Sequence, residues 1–220
     1  LGVDDALDDY VLTSIIYSLA GIDLSSKDIS DLTGIEDFEF LEYLDCSNNL
    51  LSELNLENNN FLKQLNCSSN NLSNIEISNN IELEYLNTSN NLLSEIDITN
   101  NINLSYFDCS SNELSTIDIS NNTLLNFFYS NNNNANCITV WDVDFASLAE
   151  TMCNNEGCFI KDDNATWSVD CGSLNFESHN FTIPSLIRGY NILGKNIKSH
   201  NLSIEIHKNG FATKKFILNH

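Results

Sequence analysis

Residues Leu41 to Phe61 read LEYLDCSNNLLSELNLENNNF, and the chain writes variants of this phrase at a constant spacing of 21 residues through Asn133. Superposing the copies aligns Leu41, Leu62, Leu83, Leu104 and Leu125 in one column and Leu44, Leu65, Leu86, Phe107 and Phe128 in the next. A third column holds Cys46, Cys67, Thr88, Cys109 and Ser130, and a fourth holds Asn49, Asn70, Asn91, Asn112 and Asn133. The registers agree without a gap. Self-similarity at a short fixed period implies one structural unit per repeat, each burying its apolar side against its neighbours.

The form LxxLxLxxNxL predicts a leucine-rich-repeat solenoid of about six turns. In Tyr43 to Ser47, Gln64 to Ser68, Tyr85 to Ser89 and Tyr106 to Ser110 the residues alternate as in short parallel strands, with Leu44 and Cys46 inward and Tyr43, Asp45 and Ser47 outward. At about 4.8 Å per turn, six turns make a concave sheet roughly 25 to 30 Å long. The asparagine column is structural: an amide can both donate to and accept from neighbouring turns where the chain leaves the strand. A second alternation, Leu54/Leu56, Ile75/Ile77, Ile96/Ile98, Ile117/Ile119 and Ile138/Val140, predicts extended segments or second short strands on the back. Paired asparagines at Asn58/Asn59, Asn79/Asn80, Asn100/Asn101 and Asn121/Asn122 mark a second corner, where left-handed backbone is tolerated.

The chain's 220 residues carry 31 acids against 9 bases, a formal charge of -22. That balance opposes nucleic acid and anionic membrane as partners, and no run of 18 apolar residues is present to insert into a bilayer. The charge is uneven. All but Glu177 and Glu205 of the acids precede Phe176, whereas Arg188, Lys195, Lys198, Lys208, Lys214 and Lys215 follow it. The shift divides residues 1–175 from a tail, 176–220. Within the first part, residues 1–18 are expected to form a helical cap, from the four-residue spacing of Leu7, Val11, Ile15 and Leu19. Residues 19–136 are then the solenoid and 137–175 a C-terminal cap. The start on Leu1 reads as a mature or trimmed fragment.

Leu19 to Phe38, LAGIDLSSKDISDLTGIEDF, already obeys the repeat, and FLEYLDCSNN follows closely. This wording resembles the internalin-like leucine-rich-repeat proteins exported by Bacteroidota, over residues 1–133. NCITVWDVDFA and ATWSVDC, around Cys137 and Cys171, are similar to that family's C-terminal cap, in which two cysteines close the last turn; here ETMCNNEGCFIK is inserted between them. The resemblance implies a protein that is secreted or held at the cell surface.

Cys46, Cys67 and Cys109 share a column with Thr88 and Ser130 and read as small, reduced core residues. Four cysteines remain, with three possible connectivities; Cys137 with Cys171 and Cys153 with Cys158 is preferred, which implies an oxidising compartment. Zinc is disfavoured, since no CxxC spacing or nearby histidine accompanies them. In the tail, period-two apolar runs broken at Leu193-Gly194-Lys195 and Asn209-Gly210 predict two hairpins of a small antiparallel module. The ILGK segment, the later strand and the basic KKFI ending are similar to C-terminal sorting domains of the type IX secretion system. That implies secretion or outer-membrane machinery as a tail partner.

Catalytic groupings are missing from the sequence pattern. All four histidines, His179, His200, His207 and His220, lie in the tail. Asp142, Asp144, Asp162 and Asp163 leave calcium open in the cap, without an EF-hand order of ligands. No enzyme activity, metal or cofactor is expected. What remains is the outward strand surface: a row of Tyr43, Gln64, Tyr85, Tyr106 and Phe127 beside Asp45, Asn66, Asn87, Asp108 and Tyr129, and a serine row beyond, Ser47, Ser68, Ser89 and Ser110. Aromatics beside carboxylates and hydroxyls suit recognition of a protein or glycan. Cross-strand packing that merely steadies the sheet explains the tyrosines equally well.

Overall fold

Each 21-residue phrase closes one turn of a coil, and successive turns lay their strands side by side. The computed structural model describes residues 19–151, 153–154 and 157–171, together with the backbone of Leu202–Ile206 and Ala212–Phe216. The main sheet is parallel and has seven strands of three residues: β1 Gly21–Asp23, β2 Tyr43–Asp45, β3 Gln64–Asn66, β4 Tyr85–Asn87, β5 Tyr106–Asp108, β7 Phe127–Tyr129 and β9 Cys158–Ile160. Their register is the repeat itself, Leu44 opposite Leu65, Leu65 opposite Leu86, Leu86 opposite Phe107 and Phe107 opposite Phe128. That column is wholly buried, as are Cys46, Cys67, Thr88 and Cys109 behind it.

The strands stop after three residues because the chain turns, and the turn is held by asparagine. Asn91 is representative: its Nδ2 donates to the carbonyls of Cys67, Thr88 and Ser89 at 3.0, 3.0 and 3.3 Å, while its Oδ1 accepts the Leu72 N–H at 3.0 Å. One buried side chain thus ties three segments of backbone. The residue before each of these asparagines takes the left-handed conformation: Asn48, Ser69, Asn90, Ser111 and Asn132 have φ of 54°, 55°, 56°, 55° and 60°. Left-handed backbone therefore sits at this first corner, and the paired asparagines, which would tolerate it, do not adopt it.

The second corner is built another way. Asn59, Asn80, Asn101 and Asn122 are fully buried, and Asn80 Nδ2 donates to the carbonyls of Leu56 and Asn59 at 3.2 and 2.9 Å. Asn101 and Asn122 repeat the pattern one and two turns on. With the amide inside supplying donors to the preceding turn, the backbone closes through an ordinary tight turn and needs no positive φ. The coil has an asparagine ladder at each corner.

On the back, β6 Ile117–Asp118, β8 Cys137–Thr139 and β10 Thr166–Ser168 form a parallel sheet in the order β10-β8-β6. Of the two forms expected on the back, a second short strand is found only at this end among the described residues, and the earlier turns carry segments that pair with no strand. Leu54/Leu56 and Ile75/Ile77 are extended and buried but join no sheet. Nearby amides are taken by local side chains instead, Asn55 Oδ1 accepting Glu57 N–H, Glu76 Oε1 Ser78 N–H and Asp97 Oδ1 Thr99 N–H. The same local bond occurs at Asp118, which accepts the Ser120 N–H at 2.9 Å and still lies in β6, so this capture does not by itself prevent pairing.

The C-terminal end is sealed by aromatic side chains and two disulfides, Cys137–Cys171 and Cys153–Cys158. The inserted segment supplies β9, which pairs with β7 and sets Phe159 against Phe128, ring centroids 5.6 Å apart. Trp167 closes on both at 6.1 Å. Two of the acids weighed as calcium ligands have structural work here. Asp162 accepts the N–H groups of Asn132 and Asn133 at 2.8 and 2.9 Å, and Asp142 caps helix α1 (Val143–Thr151) by accepting from Asp144 and Phe145 at 2.9 and 3.0 Å. Replacing Asp142 with alanine is expected to cost about 1 kcal/mol. A urea titration followed by near-ultraviolet dichroism of the neighbouring Trp141 would register that loss; an unchanged midpoint would refute the cap.

The chain divides into two units, Leu1–Leu174 and Asn175–His220. In the second, β11 Leu202–Ile206 and β12 Ala212–Phe216 pair antiparallel on either side of Asn209-Gly210. The helix expected within residues 1–18 and the hairpin expected at Leu193-Gly194-Lys195 lie outside the described residues.

Candidate recognition face

The parallel register converts the repeat's outward positions into rows across the sheet. Tyr43, Gln64, Tyr85, Tyr106 and Phe127 are successive partners, and so are Asp45, Asn66, Asn87, Asp108 and Tyr129. All ten residues singled out from the sequence are therefore on one face. They are not equivalent. Tyr85 stacks on Tyr106 with centroids 4.4 Å apart and planes 14° apart, and Tyr106 also meets Phe127 at 6.2 Å and Tyr129 at 5.7 Å. This makes one aromatic platform toward the C-terminal end. Tyr43, 37% exposed, stands apart from it across Gln64.

Burial is the first cause that pushes the Tyr43, Tyr106 and Tyr129 phenols above their ordinary value. The charge of Asp45 adds to it at Tyr43, Tyr85 and the Asp108 charge at Tyr106, and the Asp108 charge at Tyr129. These phenols hold their protons and remain hydrogen-bond donors throughout the neutral range.

The serine row does not serve as expected. Ser47, Ser68 and Ser89 are buried, and each hydroxyl is consumed by the residue two before it. Ser47 donates to Asp45 Oδ1 at 2.6 Å, Ser68 to Asn66 Oδ1 at 2.8 Å, Ser89 to Asn87 Oδ1 at 2.8 Å and Ser110 to Asp108 Oδ1 at 2.6 Å. The backbone begins to turn right after the third strand residue, so position five swings inward and clamps position three. Asn66 Nδ2 further donates to Asp45 Oδ2 at 3.0 Å. The polar row is pinned rather than free to adapt, and only Asp108 Oδ2 and the Asn87 amide nitrogen stay outside these clamps. The face offers flat aromatic area, phenol donors and fixed carboxylates.

The thiols behind the face are closed to chemistry. Burial drives all three upward, Cys46 to about 12 and Cys67 and Cys109 well above the usual thiol value. On the back, an open groove between Asp31, Glu36, Glu53 and Glu76 is acidic, but Asp31 and Glu76 already accept hydrogen bonds from Thr33 and Ser78.

Stacked three-residue parallel strands at a 21-residue spacing, with an asparagine ladder at the turn, decide the architecture. The chain is a leucine-rich-repeat solenoid. No protein-family model and no curated protein matches the sequence, whereas solved solenoids do. The functional domain of InlJ from Listeria monocytogenes, which includes a cysteine ladder, is 34% identical and superposes with a TM-score of 0.54 over 56% of this chain and 27% of that one. An internalin of Listeria monocytogenes, InlF, gives a TM-score of 0.54 at 22% identity over 63% and 42% of the two chains. A leucine-rich-repeat protein of Leptospira interrogans gives 0.52 at 18% identity over 64% and 38%. The solenoid thus spans between about a quarter and two fifths of the length of these proteins.

The sequence reading missed a further set of exposed side chains at the second corner. Phe61, Ile81, Ile102 and Leu124 are 52%, 51%, 54% and 56% exposed. The signal was available: each lies one or two residues after the buried asparagine of a pair, where a turn has no reason to be apolar.

Proposed function

We propose that the solenoid is a non-enzymatic recognition or adhesion module that binds a protein or glycan through its strand face. The observation that carries this reading is the joined platform of Tyr85, Tyr106, Phe127 and Tyr129 beside the clamped Asp108. Rigid aromatic area with oriented polar groups binds at small entropic cost, because little is left to order. Tyr85, Tyr106, Tyr129 and Phe127 pack on one another, so they also steady the sheet; a preorganised platform does both. The reading extends to an exported protein, secreted or displayed outside the cell by a member of the Bacteroidota, in keeping with the wording of its repeats and cap. Two disulfides fit an oxidising location.

Replacing Tyr85 and Tyr106 together with alanine is expected to reduce capture of the partner from intact cells at least tenfold, the scale of lost hot-spot residues. The strand hydrogen bonds and the buried column stay in place, so the far-ultraviolet spectrum should be unchanged. Undiminished capture by a folded double variant would remove the face from consideration.

A second reading makes the chain a structural subunit of an outer-membrane or secretion assembly, docked through its tail as a type IX sorting domain. It is favoured by the reversal of charge after residue 175 and by the β11–β12 pair. Export and surface retention of a chain ending at Asn175 would count against it.

A further inference from the structure

Five successive second corners have the same construction. A tight turn is closed by a leucine N–H donating to a carbonyl three residues earlier: Leu41 to Phe38, Leu62 to Asn59, Leu83 to Asn80, Leu104 to Asn101 and Leu125 to Asn122, at 3.0 to 3.2 Å. Its two central residues face solvent. In every corner one of the two is a large apolar side chain, Phe40, Phe61, Ile81, Ile102 or Leu124, and the other is polar, Glu39, Asn60, Glu82, Asn103 or Thr123. Phe40 and Phe61 stack with centroids 5.7 Å apart. The last four are each more than half exposed, and one per turn makes a stripe about 15 Å long at the solenoid rise. It runs beside the strand face without belonging to it, and nothing in the fold requires it: the inward leucines and asparagines close these turns.

We infer that this edge is a docking surface for a polypeptide segment that carries apolar side chains flanked by lysine or arginine. Charge selects the partner. Acids border the stripe, Glu39 and Glu82 within the corners and Glu84 just beyond, while Lys63 and Glu42 on the same margin neutralise each other at 2.9 Å. The solenoid of a second copy, whose part of the chain carries all but two of the 31 acids, is repelled by the same field. Moreover, the stripe offers roughly 300 to 400 Å², the scale of a functional patch, against about 800 Å² per partner in a stable dimer. Three of the four most exposed side chains, Ile81, Ile102 and Leu124, give a sugar no stacking ring, so apolar peptide side chains suit the length of the stripe better than a glycan, which would be confined to Phe40 and Phe61. The edge binds a short segment, and the acids around it fix the sign of that segment's charge.

The test uses the full chain and three fluorescein-labelled 14-residue peptides: alternating leucine and lysine, the same with glutamate for lysine, and the same with serine for leucine. Fluorescence anisotropy at 0.15 M salt is expected to show binding of the leucine-lysine peptide at least tenfold tighter than of either counterpart. Ile81→Ser, Ile102→Ser and Leu124→Ser combined should weaken it at least tenfold. These positions are solvent-facing, so the variant should melt where the parent does. Asp97→Asn with Asp118→Asn, which removes two charges from the back, and Tyr85→Ala with Tyr106→Ala, which strips the strand platform, should each leave binding within twofold. Equal binding of the serine-lysine peptide would reduce the effect to general charge attraction and overturn the inference. So would an unchanged affinity in the triple serine variant, or loss of binding in the tyrosine variant. Sedimentation with phosphatidylcholine vesicles, or a dimer in mass photometry, either abolished by the triple variant, would assign the stripe to a lipid surface or to a second copy and equally refute a basic peptide partner.

Discussion

Asn91→Ala is expected to be the most damaging single exchange among the corner residues, costing on the order of 4 to 6 kcal/mol. The deletion leaves the Leu72 N–H buried without an acceptor, worth about 1 to 3 kcal/mol alone. It also removes one donor each from the carbonyls of Cys67, Thr88 and Ser89. Those three keep second donors, from Asn70, Asn112 and the Ser69 N–H, so their loss is nearer the ordinary value of a hydrogen bond, about 1 kcal/mol each. Asn79→Ala provides the comparison, because exposed Asn79 makes one 3.2 Å bond to the Glu57 carbonyl and should fall within about 0.5 kcal/mol of the parent. Chemical denaturation of both variants decides the matter. Similar midpoints would mean that the ladder contributes geometry but little stability. Since each turn touches only its neighbours, the effect of Asn91 should also appear locally, as faster amide exchange at Leu72 and Leu93 than at Leu51.

The second large effect is alkaline lability. Cys46, Cys67 and Cys109 titrate near 9 when unfolded, whereas burial raises all three in the fold. A folded value raised in this way gives stability that is complete below pH 9 and is lost as pH climbs toward the folded value. The loss is about 1.4 kcal/mol per pH unit for each thiol that the fold keeps protonated; for Cys46 it runs from pH 9 toward the folded value of about 12, and Cys67 and Cys109 add to it in the same direction. Tyr43, Tyr106 and Tyr129 act with the same sign from pH 10 upward. The column already contains its own control. Thr88 occupies it fully buried, donating to the Asp108 carbonyl at 3.3 Å, as Cys67 Sγ donates to the Asn87 carbonyl at 3.5 Å. Replacing the three cysteines with threonine should therefore preserve the fold near neutrality and delay the onset of destabilisation to about pH 10. The same urea midpoints from pH 8 to 11 in parent and variant would contradict this account.

How much could be read in advance depended on whether a position repeats. Leu44, Cys46 and Asn49 recur in every turn under the same constraint, so their inward or corner placement was legible from spacing alone. Ser47 recurs as faithfully but was assigned outward, because strict alternation was carried two residues past the strand; the turn begins at that residue and Asp45 captures its hydroxyl. The paired asparagines were recognised as a corner but given the wrong reason. A side chain filling the corner from inside, as Asn80 does, and a backbone that needs left-handed φ leave the same residue type in the sequence. The insertion around Cys153 and Cys158 could not be placed at all, since its role as the seventh strand depends on the next turn being absent. On the strand face, the rows were legible and the joining of Tyr85, Tyr106 and Tyr129 was not, because ring orientation has no sequence signature.

The two asparagine ladders have an implication for how such a chain changes size. Every inner turn presents the same hydrogen-bonding groups above and below, so a turn can be duplicated or excised as a block of 21 residues with both new seams already matched. The last turn is different in kind: Asp162 takes up the Asn132 and Asn133 amides, ending the series at a carboxylate that offers no donor to a further turn. Growth and shrinkage are thus confined to the interior. The molecule can alter its reach in steps of about 4.8 Å while its ends remain as they are.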